Sequence, residues 1–289
     1  MITLFSTHKN FTGIFDIIQT NALNNWRSIS PDIQIIIIGN SKGSKEIASS
    51  INADYVPEVK CSPEGTPLLE DLFRIAQSRA RNPIMTYVNA DIILPKNFLS
   101  SINIVSKYFK KFLMIGNRWD LDVNQSINFN NNNETTNFWK MARKKSQKHG
   151  CSGIDYFVFR KGMYSRLPNF AVGRWGWDNW LIWKARRNML PVIDATEDIQ
   201  VIHQNHSYQF HHITSIEDSK TGAEFRLNEE LVGNKHLNIL DSTHALCRNN
   251  IIRKNDKESK IRNLHRLPAI FPELAIPIKI YRRLYKRFL

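Results

Sequence analysis

Along the first half of the chain, short apolar runs alternate with longer segments whose apolar residues recur at helical spacing. Ile2 to Phe5 is the first run, and it ends in Ser6-Thr7-His8-Lys9, polar groups suited to the rim of a pocket. Ile14, Ile17, Ile18 and Leu23 then predict a helix reaching Trp26. Ile33 to Ile38 reads as a fully buried strand closed by Gly39-Asn40. Strand, helix, strand in this order implies a parallel sheet with a right-handed crossover. The alternation continues with a helix over Lys45 to Ser50 and a short strand over Ala53 to Val56. Thr66 as N-cap and Pro67 at the first helical position open a helix through Ala80. A strand at Ile84 to Val88, a helix around Phe98 to Phe109 and a strand at Leu113 to Gly116 complete this half. The fold class is α/β, a mostly parallel central sheet flanked by helices.

One stretch interrupts its own pattern. Tyr87-Val-Asn-Ala-Asp-Ile-Ile-Leu94 is apolar except for the tip Asn89-Ala-Asp91. A carboxylate framed by Val88 and Ile92 needs a partner for its charge, because burying it alone is costly. A divalent cation such as Mg2+ or Mn2+, which favours oxygen ligands and phosphates, is one such partner. A strand ending in a turn, with Asn and Asp bonding locally, is the other reading. The tip lies at the carboxyl end of a strand, where ligands bind in open α/β sheets. Ser6, Thr7, Lys9, Asn40, Asp54 and Asn89, at or near strand ends, are the candidate ligand contacts, and the resemblance described below makes that ligand a nucleotide donor.

The second half carries two further candidates. Gly173-Arg-Trp-Gly-Trp-Asp-Asn-Trp-Leu-Ile-Trp183 holds four of the seven tryptophans and leads into a helix through Arg187. Asp178 falls near that helix's N-terminus, where backbone N–H groups favour the ionised form a general base needs; an N-cap is the alternative. Trp175 and Trp177 are expected in the loop, as flat platforms for sugar rings, beside glycines that imply close approach. Trp180 and Trp183 read as core. After a strand at Ile199 to Ile202 comes His203-Gln-Asn-His206. Histidines three apart on one strand face opposite ways, so a single ligand, His203, is expected unless the strand ends between them. Asn124 to His149, poor in apolar residues and rich in Asn, reads as a mobile surface loop. Asp120 and Asp122, just before it, either face the site or cap a turn, the turn being the first reading.

Composition narrows the setting. The net charge is +14, but the residues from Arg248 onward, 12 basic and 3 acidic, carry +9 of it. Basicity concentrated in a tail argues against nucleic acid bound across the main fold. Cys61, Cys151 and Cys247 are widely spaced and match neither a zinc site nor a disulfide framework, which points to a reducing compartment. The start Met-Ile-Thr-Leu-Phe-Ser does not resemble a signal peptide, so a cytoplasmic location is expected. Pro277 to Leu289 interleaves aromatic and aliphatic residues with five basic ones. On a helix this suits either an anchor on the inner face of an anionic membrane or an ordinary docked terminus.

Taken in order from about Ile2 to Tyr208, these motifs resemble the GT-A class of nucleotide-sugar glycosyltransferases, with inverting, galactosyltransferase-like features. Asn89-Ala-Asp91 is similar to the Asp-x-Asp metal motif of that class, with Asp91 at the metal-binding acid and Asn89 in place of the first acid. Gly173-Arg-Trp-Gly-Trp-Asp-Asn is similar to a Trp-Gly-rich acidic segment in which an Asp acts as base, here Asp178. His203 falls where that group has a metal-binding histidine. The resemblance implies a catalytic domain over 1–245 with a basic helical extension over 246–289. It implies Mn2+ or Mg2+ on Asp91 and His203, a nucleotide-diphosphate sugar donor, and a glycan or glycolipid acceptor against Trp175 and Trp177. A nucleotidyltransferase, for which Ser41-Lys-Gly-Ser44 is a weak phosphate loop, and a non-catalytic sugar-binding module are the rival readings.

Overall fold

The computed structural model describes residues 1–206 and 222–276. The chain opens with β1 (Ile2–Ser6), α1 (Ile14–Ile29), β2 (Gln34–Ile38), α2 (Ser44–Ser50), β3 (Asp54–Val56), α3 (Leu69–Arg79) and β4 (Ile84–Val88). It continues through β5 (Ile92–Ile93), α4 (Phe98–Tyr108), β6 (Leu113–Ile115), β7 (Arg118–Leu121), α5 (Asn132–Lys145), β8 (Gln147–Lys148) and β9 (Tyr156–Arg160). After α6 (Trp177–Arg187) come β10 (Val192–Asp194) and β11 (Val201–Gln204). A helix at Ala223–Val232, the strands β12 (His244–Cys247) and β13 (Asn250–Arg253) and a helix at Lys257–Ile270 follow.

Nine strands form the central sheet in the order β13-β12-β10-β6-β9-β4-β1-β2-β3. The pairs β1–β2, β1–β4, β2–β3, β6–β10 and β10–β12 are parallel, while β9 runs antiparallel between β4 and β6. Because side chains alternate along a strand, one apolar run feeds two cores. Ile36 and Ile38 join Phe73 of α3 and Leu181 of α6 on one face. Ile35 and Ile37 join Leu23 and Trp26 of α1 and Phe98 of α4 on the other. Truncating any of these isoleucines to Ala would cost about 2–5 kcal/mol, because both layers are closed over them.

A second sheet, β5-β11-β7-β8, stands at the carboxyl end of β4. Its register sets His203 opposite Ile92 on one side and opposite Asp120 on the other. The expected mobile loop over Asn124 to His149 is corrected here, since it contains α5. Asn131 caps that helix by accepting from the backbone N–H groups of Asn133 and Glu134 at 2.9 and 3.3 Å. Thr135, Phe138 and Ala142 form the narrow buried stripe, packed with Phe129, Ile93 and Ile202. Thr66 and Pro67 do not open α3, which starts at Leu69; Thr66 closes a turn with Ser62 instead.

The division expected at 245/246 falls inside β12, which pairs with β10 within the central sheet. The helix after it is bound to the body through Arg262 and Arg266 on the buried Asp241 and through the Trp183 indole on the Ala269 carbonyl. Pro277 to Leu289, where a membrane anchor was expected, lies outside the described residues. Among the described residues no helix is long and apolar enough to cross a membrane.

Candidate active site

A cleft of about 1970 Å3 opens where β1, β2 and β4 end, bordered by the second sheet and by the loop before α6. On one wall, Asp91 follows β4 directly. The strand β11 ends at Gln204, between the two histidines, so His203 and His206 both reach Asp91 instead of pointing apart. Their Nε2 atoms lie 3.5 and 3.0 Å from Asp91 Oδ2. One ligand atom from each of the three residues fits within 4.8 Å of the others. Burial alone would raise the Asp91 pKa, but the imidazoles of His203 and then His206 hold it well below the usual carboxylate range.

Behind this corner stands a charged network. Asp120, read from sequence as a turn residue, lies on β7 with one oxygen 3.3 Å from His203 Nδ1. Its other oxygen meets His149 Nδ1 at 2.6 Å. Arg118 donates to Asp120 at 2.9 Å and to Asp155 at 3.0 Å, and Asp155 accepts from the Asn89 amide at 2.5 Å. Asp120 thus stands behind the His203 ring as an ion-pair neighbour, while His203 Nδ1 is buried without a hydrogen-bond partner among the described residues.

The other side of the cleft is formed by the loop before α6 and the first turn of α6. Gly176 precedes α6 with φ +106°, a conformation only glycine takes readily, and this turn lifts Asp178 into the first helical turn. Gly173, on the border of the cleft, likewise has a positive φ of 77°. Burial, more than any neighbour, pushes Asp178 up to about 6. The nearby backbone N–H groups pull the other way, and the Asp155 carboxylate adds to the rise. The helix terminus therefore does not dominate, as the sequence pattern suggested, although at pH 7 the carboxylate is still mostly ionised.

The other expected residues divide. Thr7, Lys9, Asn40 and Asn89 border the cleft. Gly39 brings Thr7 close, since a Cβ there would lie 3.2 Å from Thr7 Oγ1. Ser6 turns inward instead, donating to the Val88 carbonyl at 2.6 Å and pinning β1 to the end of β4. Asp54 begins β3, away from the cleft, and pairs with Arg81 at 2.8 Å. Trp175 is 43% exposed, stacked on His236 at 4.7 Å and Phe225 at 5.9 Å. Trp177 is corrected from an open platform to a core residue, 5% exposed and edge-on to Tyr87 at 5.3 Å. Sequence reasoning placed His8 at the pocket rim but gave it no role; it is a cleft residue stacked on Phe11, and burial pushes its pKa down to about 3. Sequence reasoning passed over Arg118 and Asp155, which sit beside the site only through strand pairing.

No protein-family model matches this sequence, and no curated protein matches it as a relative. Solved structures do match its shape. Residues 1–349 of Staphylococcus aureus TarS, crystallised with UDP-GlcNAc, superpose with a TM-score of 0.51 at 11% identity. The match covers 76% of this chain and 63% of that one, so this chain spans less than two thirds of TarS 1–349. Glucosyl-3-phosphoglycerate synthase from Mycobacterium tuberculosis, crystallised with Mn2+, UDP-glucose and phosphoglyceric acid, gives 0.49 at 14% identity over 81% of this chain and 79% of that one. In shape, a mostly parallel sheet with its cleft at the strand ends, the chain has the GT-A type fold.

Proposed function

We propose that this chain is a metal-dependent glycosyltransferase that moves a sugar from a nucleotide-diphosphate donor to an acceptor hydroxyl with inversion at the anomeric carbon. The observation carrying this reading is that one cleft joins Asp91, His203 and His206 on one wall to Asp178 on the other. The donors fit a divalent ion: Asp91 Oδ1 is buried with no hydrogen-bond partner among the described residues, and three ligand atoms converge. Two imidazoles beside one carboxylate favour Mn2+ over the more oxygen-demanding Mg2+. When bound, such an ion neutralises the departing diphosphate as a Lewis acid.

Asp178 takes the proton of the acceptor hydroxyl as that oxygen attacks. A carboxylate with a pKa of about 6 suits this task, being ionised at neutral pH yet more basic than an exposed one. Asp120 stands behind the His203 ring as an ion-pair neighbour, and the half-exposed Trp175 offers its face to an acceptor sugar. Lys9, partly buried in the field of Asp91, adds positive charge where a diphosphate would lie. For the acceptor we propose a growing surface glycan or a glycolipid, reached from the cytoplasmic side, with the basic 277–289 segment against an anionic membrane.

A thermal-shift screen tests the reading. UDP-GlcNAc, the ligand crystallised with TarS, is the first probe, followed by other nucleotide sugars, each with and without Mn2+. A donor at about 100 times its Kd should add about 2.7 kcal/mol to the folded state, and only with Mn2+ present. No rise with any nucleotide sugar in Mn2+ would sink the reading. Release of pyrophosphate from a nucleoside triphosphate and a sugar phosphate, rather than sugar transfer from a nucleotide sugar, would make the chain a nucleotidyltransferase.

A further inference from the structure

Where an Asp-x-Asp motif has its first acid, this chain has the amide Asn89, and a carboxylate stands directly across from it. The last register pair of β4 and β9 is Val88 with Tyr156, so one step beyond it Asn89 meets Asp155. Asn89 donates to Asp155 twice, from Nδ2 to Oδ1 at 2.5 Å and from its backbone N–H to the Asp155 carbonyl at 2.9 Å. Arg118 Nη1 donates to Asp155 Oδ2 at 3.0 Å. An acid at position 89 would set two carboxylates in contact, which strongly disfavours ionising both. The amide at 89 and the acid at 155 are thus one complementary unit.

The place of Asp155 suggests its use. It is 5% exposed but borders the cleft. It shares the cleft with His203 and Asp178, and its charge is close enough to act on both. A carboxylate has about four acceptor sites, so Asn89 and Arg118 leave room for another donor.

We propose that Asp155 is a donor-sugar-binding residue, supplying from β9 the carboxylate that the metal motif lacks at position 89 and accepting a hydrogen bond from a sugar hydroxyl. This rests on the glycosyl-transfer reading. The competing role is a strut that only steadies Arg118 and, through Asp120, His203.

Calorimetry in Mn2+ separates the two roles. The probes are UDP and whichever of UDP-glucose, UDP-galactose and UDP-GlcNAc stabilises the wild-type protein most. The proteins are wild type, Asp155→Asn, Asn89→Asp and the double exchange of both. Asp155→Asn should weaken the UDP-sugar roughly 10- to 100-fold, the loss for one charge-assisted hydrogen bond, and leave UDP unchanged. The double exchange restores an amide–carboxylate pair and should bind the UDP-sugar more tightly than Asn89→Asp alone; if Asp155→Asn does not fold, this comparison decides. Equal weakening of UDP and UDP-sugar would show a strut and overturn the proposal, as would no weakening, or a double variant no tighter than Asn89→Asp. Wild type binding neither probe would sink the glycosyl-transfer reading, and this inference with it.

Discussion

The two walls of the cleft use the same residue type in opposite electrostatic surroundings. Asp91 sits among two imidazoles backed by Asp120, Arg118 and Asp155, and its charge is held on. Asp178 follows the buried Trp177 in α6, with no imidazole or guanidinium among the causes acting on it, and burial lifts its pKa to about 6. Under the proposed reaction, two carboxylates whose surroundings drive their affinities for protons apart suit different work, one holding a cation and one accepting a proton. The difference comes from placement. Asp91 ends a strand against a second sheet that delivers histidines, whereas Asp178 follows a glycine turn packed over the aromatic core.

If the walls are independent, each can be disabled alone. The largest effect belongs to Asp178→Asn, which should lower turnover about 100- to 10,000-fold while leaving Mn2+-dependent nucleotide binding intact, as single-turnover assays and calorimetry would show. Loss of binding in that variant would mean the walls act as one unit and would break the comparison. Asp120→Asn touches the other wall from behind. It should weaken Mn2+ binding about 10- to 100-fold, the usual cost of removing an outer partner of a ligating histidine, with the Asp178 limb of the pH profile unmoved. Unchanged Mn2+ affinity would reduce Asp120 to a surface ion pair.

The walls were also unequally legible in the sequence. Asp91 and Asp178 stood out because each interrupts a strong local pattern, an apolar strand and a tryptophan-rich run. The central sheet was legible because its strands are apolar runs, and Ile35 to Ile38 has no polar position to mislead. Asp155 and Arg118 carry no local signal; they come to the site through the antiparallel pairing of β9 and the parallel pairing of β7 with β11. Asp120 was noticed and given to a turn, because nothing near it in sequence shows that His203 lies opposite. His203 and His206 were judged by strand alternation, which holds only while the strand lasts, and β11 stops at Gln204. The helix α5 escaped because its buried stripe is three residues wide and its cap is one asparagine in an asparagine-rich run.

The smallest effect sharpens the comparison through stability. Asp178 has a folded pKa of about 6 against an ordinary 3.8, so the folded state holds that proton more tightly than the unfolded chain does. Its contribution to stability is fully present below about pH 4 and is lost as pH rises through about 6. Turnover runs the other way, with a limb rising through the same region as the base ionises. Asp178→Asn removes the buried charge. It should raise Tm at pH 7.5 by a few degrees, corresponding to at most about 3 kcal/mol, and change it little at pH 4. Asp91, whose charge the histidines favour, predicts the opposite sign: in metal-free buffer, Asp91→Asn should lower Tm at pH 7.5. If both variants shift Tm in the same direction, the two acids do not sit in opposed surroundings, and the division of labour between the walls fails.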